Sequence, residues 1–260
     1  MTPRALLASA VGALVFGLHP VQVETVAWVS GLRDLLGGAL SLASIACFLS
    51  WLDRGMASGL SSRWNWLRYA AATLLLLLAY GSKPGTVVTP ALTLLCGGWL
   101  LRSRGSSWKP LLMLIPWFLL AVAEVVMTSH SQPAAELARS LVPVWARPLV
   151  AGDALAFYLG KLLWPLPPWG MCADYGRSPN SLFEAGILFW SWLIPVGLVA
   201  LLFFVRRLRI FLLPCALLAV GVLPTLGLIP FNFQVVSTVS DRYLYLAMLG
   251  PSLALALVFC

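Results

Sequence analysis

Long apolar runs separated by short polar connectors set the pattern of the chain, and most approach the roughly 20 residues that cross a bilayer as a helix. They predict eight spans, at about 5–19, 34–51, 67–81, 86–101, 110–127, 185–205, 210–229 and 242–259. A further stretch, Arg147 to Trp164, is long enough to span but carries Arg147, Asp153 and Lys161. Prolines at Pro143, Pro148, Pro165, Pro167 and Pro168 break the chain around it.

Composition agrees with this pattern. Of 260 residues, 60% are hydrophobic and 10% charged, and the mean hydropathy is +0.91. The expected fold is an all-α integral membrane protein, with no room for a separate soluble domain. The opening MTPRALLASAVGALVFG resembles a signal peptide, but apolar character resumes through Trp28 and beyond, so a first span is the better reading. Cys47, Cys96, Cys172, Cys215 and Cys260 lie far apart with no CxxC spacing, which supports neither a zinc site nor a disulfide framework.

The net charge of +8 is orientation information before it is anything else. Nine of the 17 basic residues fall in three connectors: Arg54, Arg63 and Arg68; Arg102, Arg104 and Lys109; Arg206, Arg207 and Arg209. These are expected to face the cytoplasm, and no nucleic-acid partner is needed to explain them. Lys109 and Arg206 then share a side, so an even number of crossings separates them, and the runs at about 110–127 and 185–205 already supply two. The helix at about 148–164 is therefore expected to lie along the outer interface, with Trp164, Trp169 and Tyr175 in an aromatic belt.

Mixed acid, base, His and Tyr clusters collect on the predicted outer side. The first holds His19, Gln22, Glu24, Arg33 and Asp34; the second is Lys83 in GSKPG; the third contains Lys161, Asp174, Tyr175 and Arg177; the fourth contains Asn232, Gln234, Asp241, Arg242, Tyr243 and Tyr245. Each has a plain alternative: a polar turn, a snorkelling lysine, an aromatic belt, a helix cap. Their chemistry also suits a ligand. Arg and Lys match a lipid phosphate, and carboxylates, phenols and Trp faces match a sugar.

Read in order, LHPVQVETVAWVSGLRDLL, SKPGTVVTP, KLLWPLPPWGMCADYGRSP and VSDRYLYLAMLGP resemble the transmembrane O-mannosyltransferase family that targets cadherins, and related bacterial membrane proteins with tetratricopeptide repeats, over about residues 10 to 251. The family belongs to the GT-C glycosyltransferases. The resemblance implies a GT-C-like bundle in which a sugar passes from a polyprenyl-phosphate donor to a protein acceptor at the outer face. His19, Pro20 and Glu24 match the HP…E motif, Asp34 the acidic residue opening the next helix, Lys83 and Pro84 the KP turn, Asp174 the D(W/Y) motif, and Asp241, Arg242 and Tyr243 the DRY motif. By this resemblance His19, Arg33, Lys83, Asp174, Tyr175, Asp241, Arg242 and Tyr245 are the candidate phosphate or sugar contacts, and Glu24 and Asp34 the candidate bases.

Leu32 and Gln22 stand where family members commonly have a basic residue and a second His. The chain opens inside what resembles the family's third helix, so the expectation is the membrane portion of a truncated or split enzyme, inactive alone, with a polypeptide that supplies the missing N-terminal helices as one candidate partner. No cofactor or divalent metal is indicated beyond the donor, and membrane lipid is the implied surrounding. The bacterial inner membrane is expected ahead of the endoplasmic reticulum. A non-catalytic lipid-binding scaffold remains the alternative, and a transporter is disfavoured because few ionisable groups besides Glu124 fall within spans.

Overall fold

The computed structural model describes residues 2–58, 62–131, 142–165, 172, 175–184, 186 and 188–259. Among these residues all regular structure is helical. The helices are α1 (Pro3–Leu18), α2 (Val23–Ala27), α3 (Leu32–Ser58), α4 (Arg63–Ser82), α5 (Thr89–Ser103), α6 (Ile115–His130), α7 (Arg147–Leu163), α8 (Pro179–Glu184), α9 (Leu188–Ser191), α10 (Leu193–Phe204), α11 (Leu212–Val222), α12 (Leu244–Ala247) and α13 (Leu249–Val258), joined in part by 3-10 turns. The chain forms two compact units, residues 1–31 with 129–260 and residues 32–128.

Four helical stretches are long and apolar enough to cross a membrane: Val29–Met56, Pro84–Ser103, Lys109–His130 and Arg206–Thr225. A fifth crossing is possible if the bent pair Pro3–Leu18 and Pro20–Ala27 counts as one span. The expected eight spans are thus not supported, for local physical reasons. Arg63, Asn65 and Arg68 dilute the apolar character of α4. The 185–205 run is interrupted at Trp192, leaving an apolar stretch of 17 residues at most. The last run opens with a 3-10 turn and the four-residue α12, leaving only 10 residues in α13.

In the unit of residues 32–128, α3 packs along α4 and α5. Its core is aromatic, built on Phe48, Trp51 and Trp117. Trp117 Nε1 donates to Thr73 Oγ1 at 2.9 Å and Tyr69 to the Met113 carbonyl at 2.9 Å, so the polar ends of Trp117 and Tyr69 are satisfied, whereas the buried Trp51 Nε1 finds no partner among the described residues. Ser44 donates to the Ala72 carbonyl at 2.7 Å and Thr89 to Ser41 at 3.0 Å, stitching α3 to both neighbours.

In the other unit, Thr2 Oγ1 accepts from the Ala5 N–H at 3.3 Å and Pro3 opens α1. His19, held extended before Pro20, ends it and produces a 45° bend. α1 packs on α13, and α11 on α12 and α13. Glycine permits the last contacts: a Cβ on Gly250 would stand 2.3 Å from the Pro214 carbonyl oxygen, and one on Gly221 would stand 2.5 Å from Ala247 Cα. α7, close to the boundaries expected from sequence, buries a stripe of Val150, Asp153, Ala154, Phe157, Tyr158 and Lys161. Ala154, Phe157 and Tyr158 of that stripe pack with Val21, Val239 and Leu244 and hold together the segments that carry the polar residues.

Candidate functional site

Three segments distant in sequence meet α7 within this unit: residues 19–24, 175–178 and 231–243. His19 fastens the first, its Nδ1 accepting from the Val21 N–H at 3.2 Å and its Nε2–H reaching the Leu162 carbonyl at 3.3 Å. With Nδ1 as the acceptor, Nε2 is the nitrogen that donates. Gln22 donates to the Phe16 carbonyl at 3.0 Å and closes the same corner.

Glu24, on α2, faces the start of the Asp241–Tyr243 turn. Its carboxylate accepts from Ser240 Oγ at 3.0 and 3.1 Å and from the Arg242 N–H at 3.0 Å. The Arg242 guanidinium lies 3.9 Å from the same carboxylate and rests over Phe233, 4.6 Å from the ring centroid. Its side chain is 26% exposed, so it is supported by aromatic surface yet still reachable.

Behind it, Asp241 is 1% exposed and Lys161 is 0% exposed. Their charged groups stand 3.4 Å apart. The Tyr175 hydroxyl donates to Asp241 Oδ2 at 2.6 Å and accepts from the Cys172 N–H at 3.0 Å. Burial pushes the Asp241 carboxyl above its usual range, against the lowering effect of the Tyr175 hydrogen bond and Lys161. Burial also raises Tyr175 and Tyr158, Tyr175 further through its bond to Asp241, so both remain neutral phenols. Tyr158 contacts the backbone of Ser240, accepting from its N–H at 3.3 Å and donating to its carbonyl at 3.4 Å.

A third charge pair closes the group. Arg177 Nη2 donates to both Asp153 oxygens at 2.7 and 2.6 Å, while the Arg177 carbonyl accepts from the Thr238 N–H at 2.9 Å. Several buried polar atoms of this unit find no hydrogen-bond partner among the described residues: Asp241 Oδ1, Thr25 Oγ1 and both amide atoms of Gln234. Such atoms are uncommon in a closed core and mark a region with spare hydrogen-bonding capacity.

Of the residues singled out from sequence, His19, Glu24, Lys161, Tyr175, Arg177, Asp241 and Arg242 come together here. Tyr245 lies beside them in sequence and packs edge-on against Phe16, with centroids 5.5 Å apart. Arg33, Asp34 and Lys83 belong to the other unit, where Lys83 pairs with Asp34 in the first turn of α3 and Arg33 is exposed. Asp174 lies outside the described residues. Asp153, Tyr158, Phe233 and Ser240 were not singled out by the motifs. A signal existed for Asp153 and Lys161: an ionisable residue in an apolar helix is expected to be paired and inward-facing.

Family models, curated proteins and solved structures give no match to this chain.

Proposed function

We propose that the chain is the membrane part of a polyprenyl-phosphate-sugar-dependent, O-mannosyltransferase-like glycosyltransferase, and that the Glu24–Tyr175–Asp241–Arg242 cluster receives its donor. The observation that carries this reading is Arg242: a partly exposed guanidinium, seated on Phe233 and 3.9 Å from its nearest carboxylate. A planar cation with hydrogen-bonding capacity in reserve suits a lipid phosphate. The order of the motifs supports the same reading, as does the meeting of residues 19–24, 175–178 and 231–243 on α7. So does the charge distribution of the connectors, which favours an outward-facing cluster and an interfacial α7; the family resemblance adds a GT-C-like bundle of more than the four clear spans and the bacterial inner membrane.

In the transfer, the acceptor hydroxyl oxygen bonds to the anomeric carbon as the bond from that carbon to the phosphate oxygen breaks. The hydroxyl proton passes to a base, and the electron pair leaves with the polyprenyl phosphate. Arg242 stabilises the charge gained on that phosphate. Tyr175, held neutral, is a hydrogen-bonding partner for a sugar hydroxyl.

One observation favours a second reading, a non-catalytic lipid-binding bundle. Glu24 is engaged by Ser240 and a backbone N–H, Asp241 by Lys161 and Tyr175, and Asp153 by Arg177, so each has a structural task.

Equilibrium binding of polyprenyl-phosphate-mannose to the chain in nanodiscs, together with transfer to a Ser/Thr peptide, tests the proposal. Arg242→Ala is expected to weaken binding at least about tenfold and Arg242→Lys less. Transfer abolished by Glu24→Gln or Asp34→Asn identifies the base. Binding indifferent to Arg242 sinks the donor site, whereas binding without transfer is the result expected of this membrane part on its own.

A further inference from the structure

We infer that Glu24 is a built-in stand-in for the ligand phosphate, an internal anion that occupies the field of Arg242 until a lipid-linked phosphate displaces its influence. The inference rests on the donor-binding reading above and concerns how that site is kept when empty.

The contrast between two Arg–carboxylate pairs in the same unit carries it. Arg177 closes on Asp153 with two contacts of 2.6 and 2.7 Å, the geometry of a dedicated ion pair. Arg242 and Glu24 stop at 3.9 Å, beyond hydrogen-bond distance. Glu24 does not close the gap because neutral donors hold it: Ser240 Oγ at 3.0 and 3.1 Å and the Arg242 N–H at 3.0 Å. Aromatic faces hold the guanidinium from its own side, Phe233 at 4.6 Å and Tyr243 at 5.4 Å. Both charges are therefore fixed near each other without being spent on each other. Among the described residues, the remaining charges nearby are balanced locally, Asp241 by Lys161 and Asp153 by Arg177. Glu24 is thus the carboxylate that answers Arg242. It neutralises the cation in the empty site and opposes any anion that enters.

The predicted sign runs against a simple supporting role. In neutral-lipid nanodiscs, Glu24→Gln is expected to bind undecaprenyl phosphate roughly five- to tenfold more tightly than the wild type, because the opposing charge is gone while the amide oxygen still accepts a hydrogen bond. Ser240→Ala should weaken binding about twofold to threefold, because the released carboxylate swings onto the guanidinium. A structural cap alone makes both substitutions shift binding the same way. Binding by Glu24→Gln that is unchanged or weaker, at an unchanged thermal midpoint, overturns the inference. Should that variant fail to fold, unchanged or tighter binding by Ser240→Ala overturns it instead. Repeating the titrations with inorganic phosphate separates the sources: the same order of variants assigns recognition to the phosphate alone, and an order confined to the lipid assigns it to phosphate with its chain. If Arg242→Ala leaves binding intact, the donor site itself fails. If Arg242→Ala abolishes binding and Glu24→Gln does not tighten it, only the stand-in role fails.

Discussion

Asp153 is buried against Arg177, whose Nη2 reaches both carboxylate oxygens while the Phe157 ring lies beneath the guanidinium at 5.2 Å. Removing either charge strands the other, at a cost of roughly 3 kcal/mol. Arg177→Met should therefore lower the thermal midpoint in detergent clearly, and the double variant Asp153→Leu/Arg177→Met should recover most of that loss. Asp241 gives a pH signature. Its carboxyl titrates above the ordinary range because it is buried, so it favours the folded state when protonated. That contribution is fully present below the usual carboxylate pKa and is lost as pH rises through the raised one. Wild-type stability measured against Asp241→Asn should fall across that window, and a flat difference would mean that Lys161 and Tyr175 fully compensate for burial. At this scale the sequence revealed which residues were costly in an apolar setting, Lys161 and Asp153 included. It did not reveal who pairs with whom, because the pairs bridge 24 and 80 positions of chain (177 − 153 and 241 − 161).

α3, α5, α6 and the stretch through α11 were legible because a sustained apolar run and helical length coincide in them. Of the remaining expected spans, α4 is continuous but diluted by Arg63, Asn65 and Arg68, whereas those at about 185–205 and 242–259 failed on continuity, which apolar content does not encode. Trp192 interrupts the run between α9 and α10, and the last run is divided into the 3-10 turn Asp241–Tyr243, the four-residue α12 and, after Met248, α13. The packing between α11 and α13 was equally hidden. It depends on Gly250, where a side chain would meet the Pro214 carbonyl oxygen at 2.3 Å. Gly250→Ala is expected to cost about 1–3 kcal/mol, read as a lower thermal midpoint in detergent, because backbone rather than a flexible side chain must move. A silent substitution would mean that these helices have slack.

Across the whole molecule, the residues that the motifs group into one site are distributed over two compact units, with Glu24, Tyr175, Asp241 and Arg242 in one and Arg33, Asp34 and Lys83 in the other. No periodicity announces that division, since the first unit is assembled from both ends of the chain. Orientation is testable at exposed positions. In a background without the other cysteines, Cys172 should react with an impermeant thiol reagent from the outer side, and Ser107→Cys only after permeabilisation. Labelling of both from one side would reverse the proposed topology. The donor site itself is tested most directly by photo-crosslinking. A polyprenyl phosphate bearing a diazirine beside its phosphate, activated in nanodiscs and mapped by peptide mass spectrometry, should mark residues 19–24 and 231–243 and lose those adducts in Arg242→Ala. Adducts confined to α3, α4 and α5, with a yield that ignores Arg242, would contradict it.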